Sequence, residues 1–284
     1  MKPLHLPDDV EDTTMLLNNI RELSAFSGNG KPYIYKNAHS VSLQFDNTAV
    51  QSEMYVTEPD VLLLGYTVTM MGFLLFKQSP GTIAMIGLGG GSLVKYCYRN
   101  LPQASIVVAE NSPEVIALKD HFHIPENDHR LQIRCQDGRD LVRHADGDYD
   151  ILLVDGFDHT GQPPQLCSQA FYDDCYQALA PEGIMVVNLL GSSVDMTHYL
   201  DRIQRSFDGA AIAVDALESN NMIVFACKGQ LLDMPDQAVM NKLKDLEPRH
   251  ALMLRMTAQD MLRQRRNDKL IAALRHSAEQ LRGD

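Results

Sequence analysis

From Thr82 onward, short apolar runs alternate with helical stretches, and this order constrains the fold more than any other feature of the chain. Residues 82–86, 105–109, 131–135, 151–154 and 184–189 read as five strands. Residues 93–99, 113–122, 168–179 and 196–206 read as the helices between and after them. Strands alternating with helices need crossover connections, so they lie parallel in a sheet covered on both faces. Residues 211–215 and 222–226 complete the pattern. Only a short link separates these last two, which predicts an antiparallel hairpin at one edge.

The flanks differ from this repeat and divide the chain into four parts. Residues 1–30 are polar and end in Ser-Gly-Asn-Gly, with room for a short helix over 12–23. Residues 31–56 form a small β unit, because Val41, Leu43 and Phe45 alternate with Ser40, Ser42 and Gln44. Asp46-Asn47 then turns the chain into a strand over 49–54. Residues 57–229 are the main α/β domain, opening with an apolar helix to Phe76 capped by Thr57 or Asp60. Met70 and Met71 on that helix read as core fillers. Residues 230–284 are a helical extension, with helices over 236–246 and 257–281. Leu254, Met261, Leu262 and Leu270 suggest an apolar stripe that packs on the core domain, or alternatively a dimer contact; a homodimer is expected.

Composition narrows the compartment and the partners. The 37 acidic and 25 basic residues give a net charge of −12. Nucleic-acid binding needs clustered Lys and Arg, so it is not expected here. A small cationic ligand suits the negative field better. The five cysteines are scattered without a C-x-x-C spacing, which fits a reducing cytoplasm and argues against a disulfide framework or structural zinc. The N-terminus has no apolar signal region, and the window 61–76 is shorter than the ~20 residues of a membrane span. A cytoplasmic protein without a membrane partner is expected.

The strongest local motif is Ile86-Gly87-Leu88-Gly89-Gly90-Gly91-Ser92, between a strand and a helix. Glycines let the backbone approach a ligand, and the helix start presents free N–H groups. The spacing nearly matches the dinucleotide pattern G-x-G-x-x-G, with Ser92 in place of the last glycine. Glu110 lies about twenty residues on, at the end of the second strand, where a carboxylate can accept both hydroxyls of a ribose. NAD and S-adenosyl compounds both carry that ribose. Asp137-Gly138 ends the third strand, and there Asp137 fits a helix cap as well as a ligand contact.

The fourth strand ends in Asp155-Gly156-Phe157-Asp158-His159-Thr160-Gly161-Gln162-Pro163-Pro164. Ligands bind at this carboxyl edge in open α/β sheets. Two carboxylates three residues apart can hold an ammonium group, and one can take its proton once burial raises its pKa. The plainer reading is a turn with aspartate caps. His159 suits a proton shuttle or an ordinary surface loop.

Together these residues resemble the spermidine synthase (polyamine aminopropyltransferase) family over roughly residues 40–230. The resemblance rests on the glycine turn, Glu110, Asp137-Gly138, the Asp155-x-x-Asp158-x-x-Gly161 loop and Phe171-Tyr172. Gln51 also lies near a family glutamine. It implies a class I S-adenosylmethionine methyltransferase-like (Rossmann-like) fold behind a small β unit. It further implies that decarboxylated S-adenosylmethionine binds through Gly87, Gly89, Gly90, Glu110, Asp137, Gly138 and Gln51. Asp155 would accept a proton from putrescine or a similar amine, held by Asp158, Tyr66 and Gln162. Spermidine and methylthioadenosine would result, with no metal needed because the sulfonium already activates the leaving group.

Three departures keep other readings open. Gly90 stands where the family's G-G-G-D-G-G motif has its aspartate. Only Tyr66 matches the family's Tyr-His/Gln-Glu triplet, and Gln162 replaces a proline. A methyltransferase using intact S-adenosylmethionine, or a non-catalytic nucleoside-binding homologue, fits the same scaffold.

Overall fold

A computed structural model describes residues 31–45, 50–158, 161–217 and 219–280. The expected helix over 12–23, the Asp46-Asn47 turn and His159 lie outside them. The chain opens with β1 (Tyr33–Lys36), β2 (Ser40–Gln44) and β3 (Val50–Tyr55), an antiparallel sheet in the order β1-β2-β3. The first of these strands had no clear alternation in the sequence.

The helix expected from Thr57 or Asp60 starts later, as α1 (Gly65–Met70), and continues as a 3-10 turn over Met71–Leu75. Neither residue caps it: Asp60 instead pairs with Arg99, and Val61 N–H closes a turn on the Glu58 carbonyl at 3.2 Å. Gly65 is required where α1 begins, since a Cβ there would stand 2.0 Å from the Leu217 carbonyl oxygen. Met70 and Met71 are fully buried, as expected of core fillers.

The main domain then runs β4 (Thr82–Ile86), α2 (Ser92–Asn100), β5 (Ser105–Glu110), α3 (Pro113–Ala117), β6 (Leu131–Cys135), α4 (Gly138–Arg143) and β7 (Tyr149–Val154). It continues through α5 (Gln169–Ala178), β8 (Leu179–Leu189), α6 (Ser193–Ser206), β9 (Ala211–Asp215) and β10 (Met222–Cys227). The seven strands lie in the order β6-β5-β4-β7-β8-β10-β9. The first five are parallel, and β10 pairs antiparallel with both β8 and β9. The expected edge hairpin is therefore present, with β10 inserted between β8 and β9.

Alternation along each strand splits the core between the two faces. Ile83, Met85, Ile151, Leu153, Ile184, Val186, Ile223 and Phe225 fill one side. Ala84, Ile86, Leu152, Val154, Met185, Val187, Val224 and Ala226 fill the other, against α4, α5 and α6. A fully buried side chain such as Phe225 or Phe171 contributes about 2–3 kcal/mol through apolar burial.

The C-terminal extension forms α7 (Asp236–Asp245) and α8 (Pro248–Gln280). The second helix begins nine residues before the expected position because Pro248 suits a first helical turn. Leu254, Met261 and Leu262 pack on the core as expected, whereas Leu270 is 60% exposed and leaves that stripe. The seat of α8 is close: a Cβ at Gly72 would come within 2.8 Å of Met261 and 3.0 Å of Thr257. No described helix is long and apolar enough to cross a membrane.

Candidate active site

The carboxyl ends of β4, β5 and β7 open into one cavity of about 740 Å³. Gly87, Leu88, Gly89, Glu110, Asp137, Gly138, Asp155, Asp158, Gln51 and Tyr66 all line it. The structure therefore brings together residues spread over more than a hundred positions of sequence.

The glycine turn is shaped by its neighbours. Gly87 has φ 94°, and a Cβ there would lie 2.2 Å from the Asp155 carbonyl oxygen. Its N–H donates to the Ala109 carbonyl at 2.9 Å, while the Asp155 N–H donates to Ile86 at 2.9 Å. Glycine at position 87 thus lets the loops after β4 and β7 run side by side. Glu110 is buried and ties the turn to β5. Its Oε2 accepts the Leu88 N–H at 2.9 Å and its Oε1 accepts the Ser112 N–H at 2.8 Å. The carboxylate is thereby fixed beside the turn, with lone pairs remaining for a ligand hydroxyl.

Gly90 does not line the cavity among the described residues. A Cβ there would meet Ser52 Oγ at 2.7 Å and Phe122 at 2.9 Å. At Gly89, one residue earlier, a Cβ would find only Ser52, at 3.7 Å. A Cβ at Gly90 would thus press on the side chains of Ser52 and Phe122, whereas at Gly89 it would find space but a left-handed φ of 53°.

Asp137 is the N-cap of α4, and its Oδ1 accepts the Arg139 N–H at 2.8 Å. It also lines the cavity, so the cap and the ligand-facing position coincide. Ile86, Ala109, Val115 and Leu166 add apolar wall around it, suited to a flat heterocycle.

Asp155 is the chemical centre of the other half. Its Oδ1 accepts from Asn188 Nδ2 at 2.8 Å, and Tyr66 donates a hydrogen bond to the same carboxyl. Burial pushes the Asp155 carboxyl up to about 6, opposed by the hydrogen bonds from Asn188 and Tyr66. Burial, helped by the Asp155 charge, raises the Tyr66 phenol well above its ordinary value, so Tyr66 remains a donor. The Tyr66 hydroxyl also lies 3.4 Å from the Gln51 carbonyl oxygen.

Asp158 sits in a tight turn, where its N–H donates to the Gly161 carbonyl at 2.9 Å and its carbonyl accepts in return at 3.1 Å. Gln162 is absent from the cavity wall, although Gly161 and Pro163 are part of it. Its Nε2 instead donates to the Asn188 carbonyl at 3.2 Å. Asn188 and Asn221 were not anticipated. An asparagine inside the apolar run 184–189 was the available signal, because a buried amide needs partners.

A sheet of this order, with a glycine turn and an acid at the end of the second parallel strand, defines a class I methyltransferase-like domain that suits an adenosyl nucleoside. Residues 65–218 match the family model described as the spermine/spermidine synthase domain. The polyamine aminopropyltransferase of Chromobacterium violaceum is 34% identical over 212 residues, covering 74% of this chain and 81% of that one. A probable spermidine synthase from Corynebacterium glutamicum superposes with a TM-score of 0.61 at 17% identity, over 81% of this chain and 91% of that one. A spermidine synthase solved with the transition-state analogue AdoDATO superposes at 0.53 and 19% identity, over 77% of this chain and 78% of that one. The two solved structures share the fold, and the family match and the Chromobacterium relative decide the membership. The chain belongs to the spermine/spermidine synthase family.

Proposed function

We propose that this protein is a polyamine aminopropyltransferase. It moves an aminopropyl group from decarboxylated S-adenosylmethionine to a small cationic amine such as putrescine and releases methylthioadenosine. The observation that carries this reading is Asp155, a half-buried carboxyl held by Tyr66 and Asn188 at the rim beside the glycine turn. Family membership and the Chromobacterium relative support the same activity.

The residues present fit an adenosyl donor. Glu110 offers a fixed carboxylate for the ribose, Gly87 and Gly89 keep the turn bare, and Ile86, Val115 and Leu166 flank the space beside Asp137. When bound, such a donor supplies a carbon already activated by its sulfonium. The chain's own task is to present a neutral amine in line with that carbon. Asp158 attracts the amine as a cation, and ionised Asp155 takes one proton from it. A carbon–nitrogen bond forms, the carbon–sulfur bond breaks, and its electron pair stays on sulfur. A base with a pKa near 6 is ionised at neutral pH yet basic enough to help.

The test is an assay with decarboxylated S-adenosylmethionine and a panel of diamines and triamines. Methylthioadenosine should form, and Asp155→Asn should abolish it. Failure with every amine overturns the reading. One observation favours a second: residues 87–91 carry no carboxylate to repel the carboxyl group of intact S-adenosylmethionine. A methyltransferase would yield S-adenosylhomocysteine from that donor, and calorimetry with both donors separates the two.

A further inference from the structure

Asn188 is only 2% exposed and stands at the end of β8 with its amide between two partners. Nδ2 donates to Asp155 Oδ1 at 2.8 Å. Oδ1 accepts from Asn221 Nδ2, also at 2.8 Å. The Asn188 backbone is braced separately, since its carbonyl accepts from Gln162 Nε2. The side chain can therefore rotate its amide only by exchanging what it offers to Asp155 for what it offers to Asn221. An amide has one donating and one accepting end; ionised Asp155 only accepts, so the Asn188 N–H faces it and the Asn188 Oδ1 needs a donor, which Asn221 supplies. Asn221 belongs to the β9–β10 link and lines the cavity beside Ser219 and Leu190.

We infer that Asn221 is a positioning residue for Asp155: by donating to Asn188, it holds the Asn188 amide with its N–H toward the carboxylate and keeps that carboxylate ready to take a proton. This rests on the aminopropyl-transfer reading for its purpose, though not for its geometry. Among the described residues, the ionisable groups sharing the cavity with Asp155 are Tyr66 from α1, Asp158 from its own loop, Glu110, Glu114, Asp137 and Lys31.

The discriminating variant is Asn221→Asp, whose carboxylate can only accept. It should turn the Asn188 amide around, bring an oxygen against Asp155 and move the carboxyl titration of Asp155 upward. Carbon-13 NMR of labelled aspartates reads that titration without any substrate. The same substitution in an Asn188→Ala background removes the relay but keeps the added charge. A shift at least threefold larger in proton affinity with Asn188 present than without it supports the relay. Equal shifts in the two backgrounds mean simple charge repulsion and overturn it. In the active enzyme, the acid limb of kcat/KM should move up in pH with Asn221→Asp. If no amine is ever turned over but the NMR difference persists, the aminopropyl reading has failed and the relay has not.

Discussion

Tyr96 on α2 and His250 on α8 share a buried hydrogen bond between the phenol and Nδ1. Their rings meet edge-on with centroids 5.5 Å apart. This contact fastens the helix that follows the glycine turn to the C-terminal extension. Burial lowers the His250 pKa, Arg249 lowers it further, and Glu247 opposes them. A base with a lower pKa when folded is protonated first in the unfolded chain. Its contribution to stability is complete above the ordinary histidine value of about 6.5 and is lost as pH falls below it. His250→Gln should lose about 1 kcal/mol at pH 7.5. It should also lose part of the decline in thermal midpoint between pH 7 and 5. Parallel pH dependences for parent and variant would refute this.

Asp155 titrates in the opposite sense. Its carboxyl is raised to about 6, against about 3.9 for a free aspartate. The folded chain holds the proton longer, so this group's contribution to stability is complete below about pH 4 and is lost as pH rises through about 6. Asp155→Asn should therefore stabilise the fold at pH 7.5 by about 1–2 kcal/mol while abolishing transfer. Calorimetry should find that gain gone at pH 4. In the parent enzyme, kcat/KM should fall below pH about 6 as the base is protonated.

The two central glycines should respond differently to a carboxylate. Gly89 has φ 53°, a region that aspartate enters more readily than most residues, and its Cβ direction is open. Gly89→Asp should cost about 1 kcal/mol. Gly90→Asp must displace Ser52 or Phe122 and should cost more than about 2 kcal/mol. Thermal melts check that order. The Gly89 variant should also bind decarboxylated S-adenosylmethionine in preference to the intact form at least tenfold more than the parent does. An unchanged ratio would mean that the side chain does not reach the ligand tail.

Glu110 uses one oxygen for Leu88 and the other for Ser112. Glutamine can satisfy only one of those N–H groups and sets an NH2 against the other. Glu110→Gln should destabilise the fold by about 1–3 kcal/mol. It should also weaken methylthioadenosine binding at least tenfold by isothermal titration. Unchanged binding would remove Glu110 from the nucleoside site.

Much of this architecture was legible because its signals are local. Apolar runs such as 151–154 and 184–189 announce strands, and the glycines at 87, 89, 90 and 91 announce a bare turn. Asp155 and Asp158 could be placed because they follow a strand directly. What escaped depends on contacts between distant segments. The neighbours of Gly90, Ser52 and Phe122, come from distant segments. The late start of α1 is set by Leu217 against Gly65. The Gln162 amide donates to the Asn188 carbonyl, a partner that spacing along the chain cannot reveal. Asn188 stands out only as an amide inside an apolar run, and Asn221 is one of two adjacent asparagines in a polar link.

The cavity is assembled from two kinds of chain. Leu88, Glu110 and Asp137 lie at the ends of the adjacent strands β4, β5 and β6, whereas Tyr66, Asp155, Asn188 and Asn221 come from α1, the loop after β7, β8 and the β9–β10 link. On the proposed assignment, a lineage that inherits this fold can keep its nucleoside partner while trading recipients. Mutations in the β9–β10 link or before α1 reshape one wall and leave the glycine turn untouched. On the same assignment, swapping those short segments between relatives retargets the amine while Asp155 stays in place.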